Sequence, residues 1–395
     1  MKYNRLLALT LITSSLWLAA CTHVTAQGGP GLPPDVYADS RNRLPLPVRD
    51  ELDARHKQTY DAIIERTGSV EGLRSIEGIA LHGSSGNIRF ESPAGRRLIE
   101  LAILVGARHN EQNFEWSLHV GAAIDEGLEM EIIDIVRLMQ PPVGIGEKEA
   151  AIIALGREMN EQHRVSPETF ARAHKALGTV SLVDLAVTLA YRSNQTNLVW
   201  VDQHMPLGYE VQAELPIEII ESPPDIFPQS RSRLRQKEGQ RPPTPGRTLA
   251  PYGMGPGQIA LTQTGGKYLD IMVGKPLRAL ARLVPARILN QQVMWTETEP
   301  EARRLGLSNA AIEVVRDNKP TTGLTEREAM VIQMGRELLS EHRVAPATYV
   351  KAVDMFGERD ALDLATEIGE NAREAGILTI FDQQLPEGVE PLLPM

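Results

Sequence analysis

Three titratable residues lie close together in the sequence: Glu100, Glu115 and His119. If Phe114–Glu126 is a helix, as the apolar spacing of Val120, Ala123 and Ile124 suggests, Glu115 and His119 stand four residues apart on one face. That spacing brings a carboxylate within hydrogen-bond reach of an imidazole. The carboxylate raises the imidazole pKa, and partial burial opposes the rise, so the pair could act as base and acid near neutral pH. Spacing alone describes a surface ion pair equally well. Glu100 adds weight because it falls among Ile99, Leu101, Ala102 and Leu104, where an unpaired carboxylate would be costly.

The elements that must position these residues occur twice. At a constant offset of 179, Leu101 pairs with Leu280, Trp116 with Trp295, Gly127-Leu128 with Gly306-Leu307, Gly156-Arg157-Glu158 with Gly335-Arg336-Glu337, and Asp184-Leu185-Ala186 with Asp363-Leu364-Ala365. An ungapped match over some eighty residues marks a duplicated unit. At the same offset Glu100, Glu115 and His119 become Ala279, Met294 and Thr298. The joint loss of all three is what a single site, used in one copy, would leave behind.

Periodicity in both copies is helical. Leu98, Leu101, Ala102 and Val105 follow i, i+3, i+4, i+7, as do Ile132, Ile135, Val136 and Met139. Ser92-Pro93 precedes the first of these helices, Ser166-Pro167 opens another and Gly178 closes it. Strand-like alternation is scarce. The expectation is an all-α fold of four to six helices per copy, the two copies packing by pseudo-twofold symmetry as a pseudo-dimer.

Other residues allow other chemistry. Glu100, Glu115 and His119, with His82 or His204, could ligate a divalent metal, although Glu-x-x-x-His differs from the Glu-x-x-His of di-iron bundles. His109 and Trp116 are candidate cleft-lining residues. Trp116 and Trp295, present in both copies, also read as core or interface anchors. His163 and His342 persist in the copy without the acid–base set, and read as helix C-terminal residues complementing the dipole. No phosphate loop, nucleophile elbow or zinc signature occurs, so neither a metal nor an organic cofactor is expected.

The chain opens with Lys2 and Arg5, an apolar run from Leu6 to Ala20, and then Leu18-Ala19-Ala20-Cys21. That layout predicts a lipoprotein signal peptide over 1–20 and a lipidated Cys21. Thr22 after the cysteine points to the outer membrane, facing the periplasm. Cys21 is the only cysteine, which excludes a disulfide within the chain. The formal charge of −10 becomes more negative when Lys2 and Arg5 leave with the signal, which argues against nucleic acid as a partner. The Gly- and Pro-rich stretch 21–44 reads as a flexible tether, 45–216 as the first domain, the Pro-rich and basic 217–262 as a linker, and 263–395 as the second domain.

Arg97-Leu98-Ile99-Glu100-Leu101-Ala102-Ile103-Leu104, then Phe114-Glu115-Trp116-Ser117-Leu118-His119 and Glu126-Gly127-Leu128, resembles the carboxymuconolactone decarboxylase family. Phe381-Asp382-Gln383-Gln384-Leu385-Pro386-Glu387-Gly388 is similar to the tail that ends such domains. The resemblance implies the helical fold of the alkylhydroperoxidase-D superfamily, assembled as trimers or hexamers. Three fused chains would then make a homo-oligomer, a trimer of pseudo-dimers. In the peroxidase branch a Cys-x-x-Cys pair precedes the histidine. The positions that match it here are Gln112 and Glu115, so a thiol peroxidase has no nucleophile. The implied activity is lyase-type proton transfer on a small acidic or lactone molecule, with decarboxylation or lactone opening as outcomes. The rival reading is a non-catalytic scaffolding lipoprotein built on the duplicated helical interface.

Overall fold

The computed structural model describes residues 28, 31–191, 193–220, 223–235 and 269–394. The signal segment and Cys21 lie outside the described residues, as does most of the expected linker. The fold is all-α, with sixteen helices and no sheet among the described residues. No described helix is long and apolar enough to cross a membrane.

Four helices precede or begin the first copy: α1 (Ala54–Thr67), α2 (Ile76–Ala80), α3 (Ile88–Glu91) and α4 (Arg96–His109). They are followed by α5 (Asn113–Asp125), α6 (Met130–Arg137), α7 (Glu147–Arg157), α8 (Pro167–Leu177), α9 (Thr179–Leu189) and α10 (Ser193–Trp200). The second copy comprises α11 (Lys275–Ile288), α12 (Gln292–Arg304), α13 (Asn309–Arg316), α14 (Glu326–Arg336), α15 (Pro346–Phe356) and α16 (Glu358–Ile380). Helices α4 to α8 and α11 to α15 match end for end at the offset of 179. The match includes the π-helical turns Glu158–Gln162 and Glu337–Glu341, closed by His163 and His342 in the left-handed conformation. These histidines therefore end helices, as read from the sequence. Local signals explain the boundaries: Ser166 Oγ accepts from the Thr169 amide with Pro167 at the first helical position, and Gly178 ends that helix at φ 74°.

The copies differ in their last helix, which is continuous as α16 but broken between α9 and α10. The sequence explains why. The offset rises from 179 at Ala186/Ala365 to 180 at Val201-Asp202-Gln203 and Phe381-Asp382-Gln383, so the first copy is one residue short. Deleting one residue from an α-helix would turn everything beyond it by about 100°. Breaking the helix keeps the buried faces of both α9 and α10 in place.

Each copy is organised around its first long helix. Helix α4 packs on α5, α6, α7 and α9, and α11 on α12, α13, α14 and α16, while α10 lies along α16 and joins the copies. One apolar core runs through both, including Leu101, Trp116, Leu280 and Trp295. Glycines let the central helices approach: a Cβ on Gly156 would lie 2.5 Å from Val105 Cγ1 and 2.9 Å from Leu189 Cδ2. The same close approach recurs between Gly335 and Val284. Overpacking costs about 1–3 kcal/mol, against about 1 kcal/mol gained from helix propensity. Gly156→Ala is thus expected to lower stability by up to about 2 kcal/mol in urea unfolding, and a more stable variant would show the α4–α7 contact to be loose.

The expected tether and linker require correction. Pro33-Pro34-Asp35-Val36-Tyr37-Ala38-Asp39-Ser40-Arg41-Asn42-Arg43-Leu44 recurs as Pro223-Pro224-Asp225-Ile226-Phe227-Pro228-Gln229-Ser230-Arg231-Ser232-Arg233-Leu234. Both segments are packed straps, with Val36, Arg43, Leu44, Ile226, Arg233 and Leu234 buried. Arg43 donates to Asp35 Oδ2 (2.7 Å), to the Ile380 carbonyl (3.1 Å) and to the Val165 carbonyl (3.0 Å). Arg233 does the same with Asp225 (2.7 Å), Trp200 (3.4 Å) and Val344 (2.9 Å). Each arginine thereby ties one copy to the other. Proline and charge lowered the apparent burial of these segments, but each is held by buried apolar residues, by a buried guanidinium and by further buried polar groups such as Asn42, which donates to Gln383.

Candidate active site

The site forms where α3, α4 and α5 meet. The turn before α5 places Gln112 at its N-cap, where its Oε1 accepts from the Glu115 amide at 3.1 Å. Gln112 thus has a structural role, and the equivalent Gln291 caps α12 through the Val293 amide. The cap starts the helix one residue before Phe114, and Glu115 and His119 then share a face.

The structure brings Glu100, Glu115 and His119 together, all buried. His119 Nδ1 lies 2.6 Å from Glu100 Oε2, and its Nε2 lies 3.4 Å from Glu115 Oε1. Burial by itself pushes the imidazole pKa down, but the bonds to Glu100 and Glu115 outweigh it and carry the value up to about 9. Burial also opposes ionisation of Glu100, yet His119 and Arg89 hold its carboxyl below the ordinary range. At neutral pH His119 is therefore an imidazolium, held between Glu100 and Glu115. This differs from the near-neutral pair expected from spacing, because two carboxylates rather than one face the ring.

Two arginines that the sequence reading did not single out complete the arrangement. Arg89, on α3, donates through Nε to Glu100 Oε1 at 3.0 Å, and Arg96 Nε reaches the same oxygen at 3.3 Å. Arg96 Nη1 also pairs with Glu126 Oε1 at 2.9 Å. The i, i+4 spacing of Arg96 and Glu100 was a visible signal. So was the duplicate: 179 residues on from Glu126 stands Leu305. In the second copy Ala279, Met294 and Thr298 are buried where the triad would be, leaving no titratable group at those positions.

The remaining candidates lie elsewhere. His109, expected to line a cleft with the triad, sits nine residues along α4 from Glu100, about 13 Å by helix rise. Its ring meets His342 edge-on at 5.6 Å, beside a cavity of about 10 Å³ bordered by Val105, Arg108, Gly156 and Asn160. Trp116 is wholly buried and donates to the Ala213 carbonyl at 2.6 Å, which makes it a core anchor rather than a cleft wall. His82 is held on the Pro45 carbonyl (2.9 Å) and His204 on Asp202 (3.0 Å), so neither joins the triad as a metal ligand. Both nitrogens of His119 face carboxylates, which leaves that ring without a free lone pair to offer. Comparison of the chain with protein-family models, curated proteins and solved structures finds no match.

Proposed function

We propose that the first copy is the active half of an exported, lipid-anchored, carboxymuconolactone decarboxylase-like lyase that moves protons on a small acidic or lactone-type molecule. The second copy is its degenerate partner in a pseudo-dimer, and three such chains would form the ring usual for the family. The observation that carries the reading is the buried Glu100–His119–Glu115 array, which occurs in one copy and whose three positions became apolar or neutral together in the other. Evolutionary drift of surface residues would not explain it, because all three side chains are buried.

His119 is the proton donor, since with a pKa of about 9 it is charged at neutral pH. Glu115 faces Nε2 as partner base, and Glu100, which holds Nδ1, orients the ring. In a decarboxylation the bond to the departing carboxyl breaks, CO₂ leaves, and the electron pair left on the substrate takes the proton that His119 supplies. In a lactone opening water gives a proton to Glu115 as it adds to the acyl carbon, the bond from that carbon to the ring oxygen breaks, and the proton of His119 goes to the departing oxygen. General acid–base catalysis of this kind contributes about 10²–10⁴-fold to rate. The test is turnover by His119→Gln against Thr298→Val, with metabolites that accumulate in the periplasm of a deletion strain as substrates.

The anchor belongs to the same proposal. Cys21→Ala is expected to shift the protein from the detergent phase to the soluble periplasmic fraction without changing its helix content. Wild-type protein released in full by osmotic shock would end the lipoprotein assignment.

A further inference from the structure

The triad is buried, but the two guanidinium groups above Glu100 are not. Arg89 and Arg96 side chains are 37% and 35% exposed, and among the described residues Nη1 of Arg89 and Nη2 of Arg96 have no protein partner. Phe90 lies against both, its ring centroid 5.6 Å from the Arg89 guanidinium carbon and 5.2 Å from that of Arg96, and is itself 62% exposed. Two positive charges with spare donors, fixed by Glu100 and Glu126 and set beside an exposed aromatic ring, form a surface that suits an anion with a flat apolar body.

From this we propose that Arg89, Arg96 and Phe90 form the receiving site for a carboxylate of the substrate, a specificity determinant that rests on the acid–base reading of the same site. The duplicate supplies an independent observation. Within the matched helices, at the offset of 179, Arg96 becomes Lys275 and Glu126 becomes Leu305, so the ion pair that fixes Arg96 is lost along with the triad. A purely structural clamp on a buried Glu100 would require neither an exposed ring nor donors left pointing away from it. The chemistry also restricts the substrate. A carboxylate gripped by two guanidiniums is stabilised where it is, and it is therefore the spectator group. The reacting lactone or second carboxyl is another part of the same molecule.

Calorimetric titration of the full-length chain in detergent micelles with benzoate, and with the neutral isostere benzamide, tests the site. Benzoate should bind at least about ten-fold more tightly, as expected for hydrogen bonds between charged groups, and the preference should shrink with added salt. Arg89→Met and Arg96→Met should each abolish the preference, while Arg172→Met, which removes an exposed pair between α8 and Glu147 of α7, should keep it. If Arg89→Met fails to fold, Arg89→Lys replaces it, since one ammonium cannot reproduce a two-pronged contact and the preference should fall several-fold. Equal or absent binding of the two probes overturns the proposal, as does a preference that survives the folded arginine variants. The outcome is separable from the acid–base reading. A benzoate preference retained by His119→Gln, with turnover also retained, would remove the proton donor and leave the receiving site. His119-dependent turnover without any preference would do the reverse.

Discussion

Replacing His119 with Gln is expected to lower kcat by at least about 100-fold and to destabilise the protein at pH 7, two effects that share one cause. The imidazolium is the proton donor, and it is also the positive charge between Glu100 and Glu115. Its folded-state pKa is raised from 6.5 to about 9, so its contribution to stability is fully present below about pH 6.5 and is lost as pH rises through 9. The shift corresponds to a few kcal/mol for a group this buried. Glu100 has the opposite sign: its pKa is lowered, so its contribution is present above about 4.5 and lost as the medium becomes more acid. Wild type should therefore be most stable between about pH 5 and 7, and its advantage over His119→Gln should vanish by about pH 10. Urea unfolding across that range measures this directly. In the wild type kcat/KM should stay flat through neutrality and fall above about pH 9, whereas Thr298→Val should leave turnover unchanged. An activity that rises through pH 9 would make neutral His119 the working form and assign it the role of base.

Arg43→Ala should cost about 3–5 kcal/mol, the range for deleting one partner of a buried, hydrogen-bonded charge. The substitution strands Asp35 and uncovers the carbonyls of Ile380 and Val165, which belong to different copies. It also removes the guanidinium that lies 5.0 Å from the Phe170 ring centroid. Arg43→Lys should recover little, because a single ammonium cannot span one carboxylate and two separated carbonyls. Arg233→Ala should behave alike through Asp225, Trp200 and Val344. Arg49→Ala, which breaks an exposed pair with Asp61, should cost under about 1 kcal/mol and serves as the control. Circular dichroism during urea denaturation gives the four values. An Arg43→Ala variant within about 1 kcal/mol of wild type would mean that the first strap rests on the surface without tying the copies together.

The contrast between straps and helices shows where sequence is a sufficient guide. Helical periodicity and end signals are local, so α4, α5 and α8 could be located from Leu98, Leu101, Ala102 and Val105, from the run after Phe114, and from Ser166-Pro167 with Gly178. The straps have no period. Their burial depends on carbonyls up to 337 residues away in sequence, as with Arg43 and Ile380, and composition alone made them resemble a tether and a linker.

By itself the sequence determined the helical class, the duplication, and the three positions at which the copies part company, because repeats and residue types are written along the chain. The absence of paired cysteines was equally plain from it. Tertiary structure decided how charge is distributed within the site. It placed Glu100 on one nitrogen of His119 and Glu115 on the other, fixing the ring as an imidazolium, and brought Arg89 from a four-residue helix onto Glu100. It also separated His109 and Trp116 from that cluster. The physical reason is that a pKa depends on every charge within a few ångströms and on exclusion of water, and both are set by which helices pack together rather than by spacing within one of them.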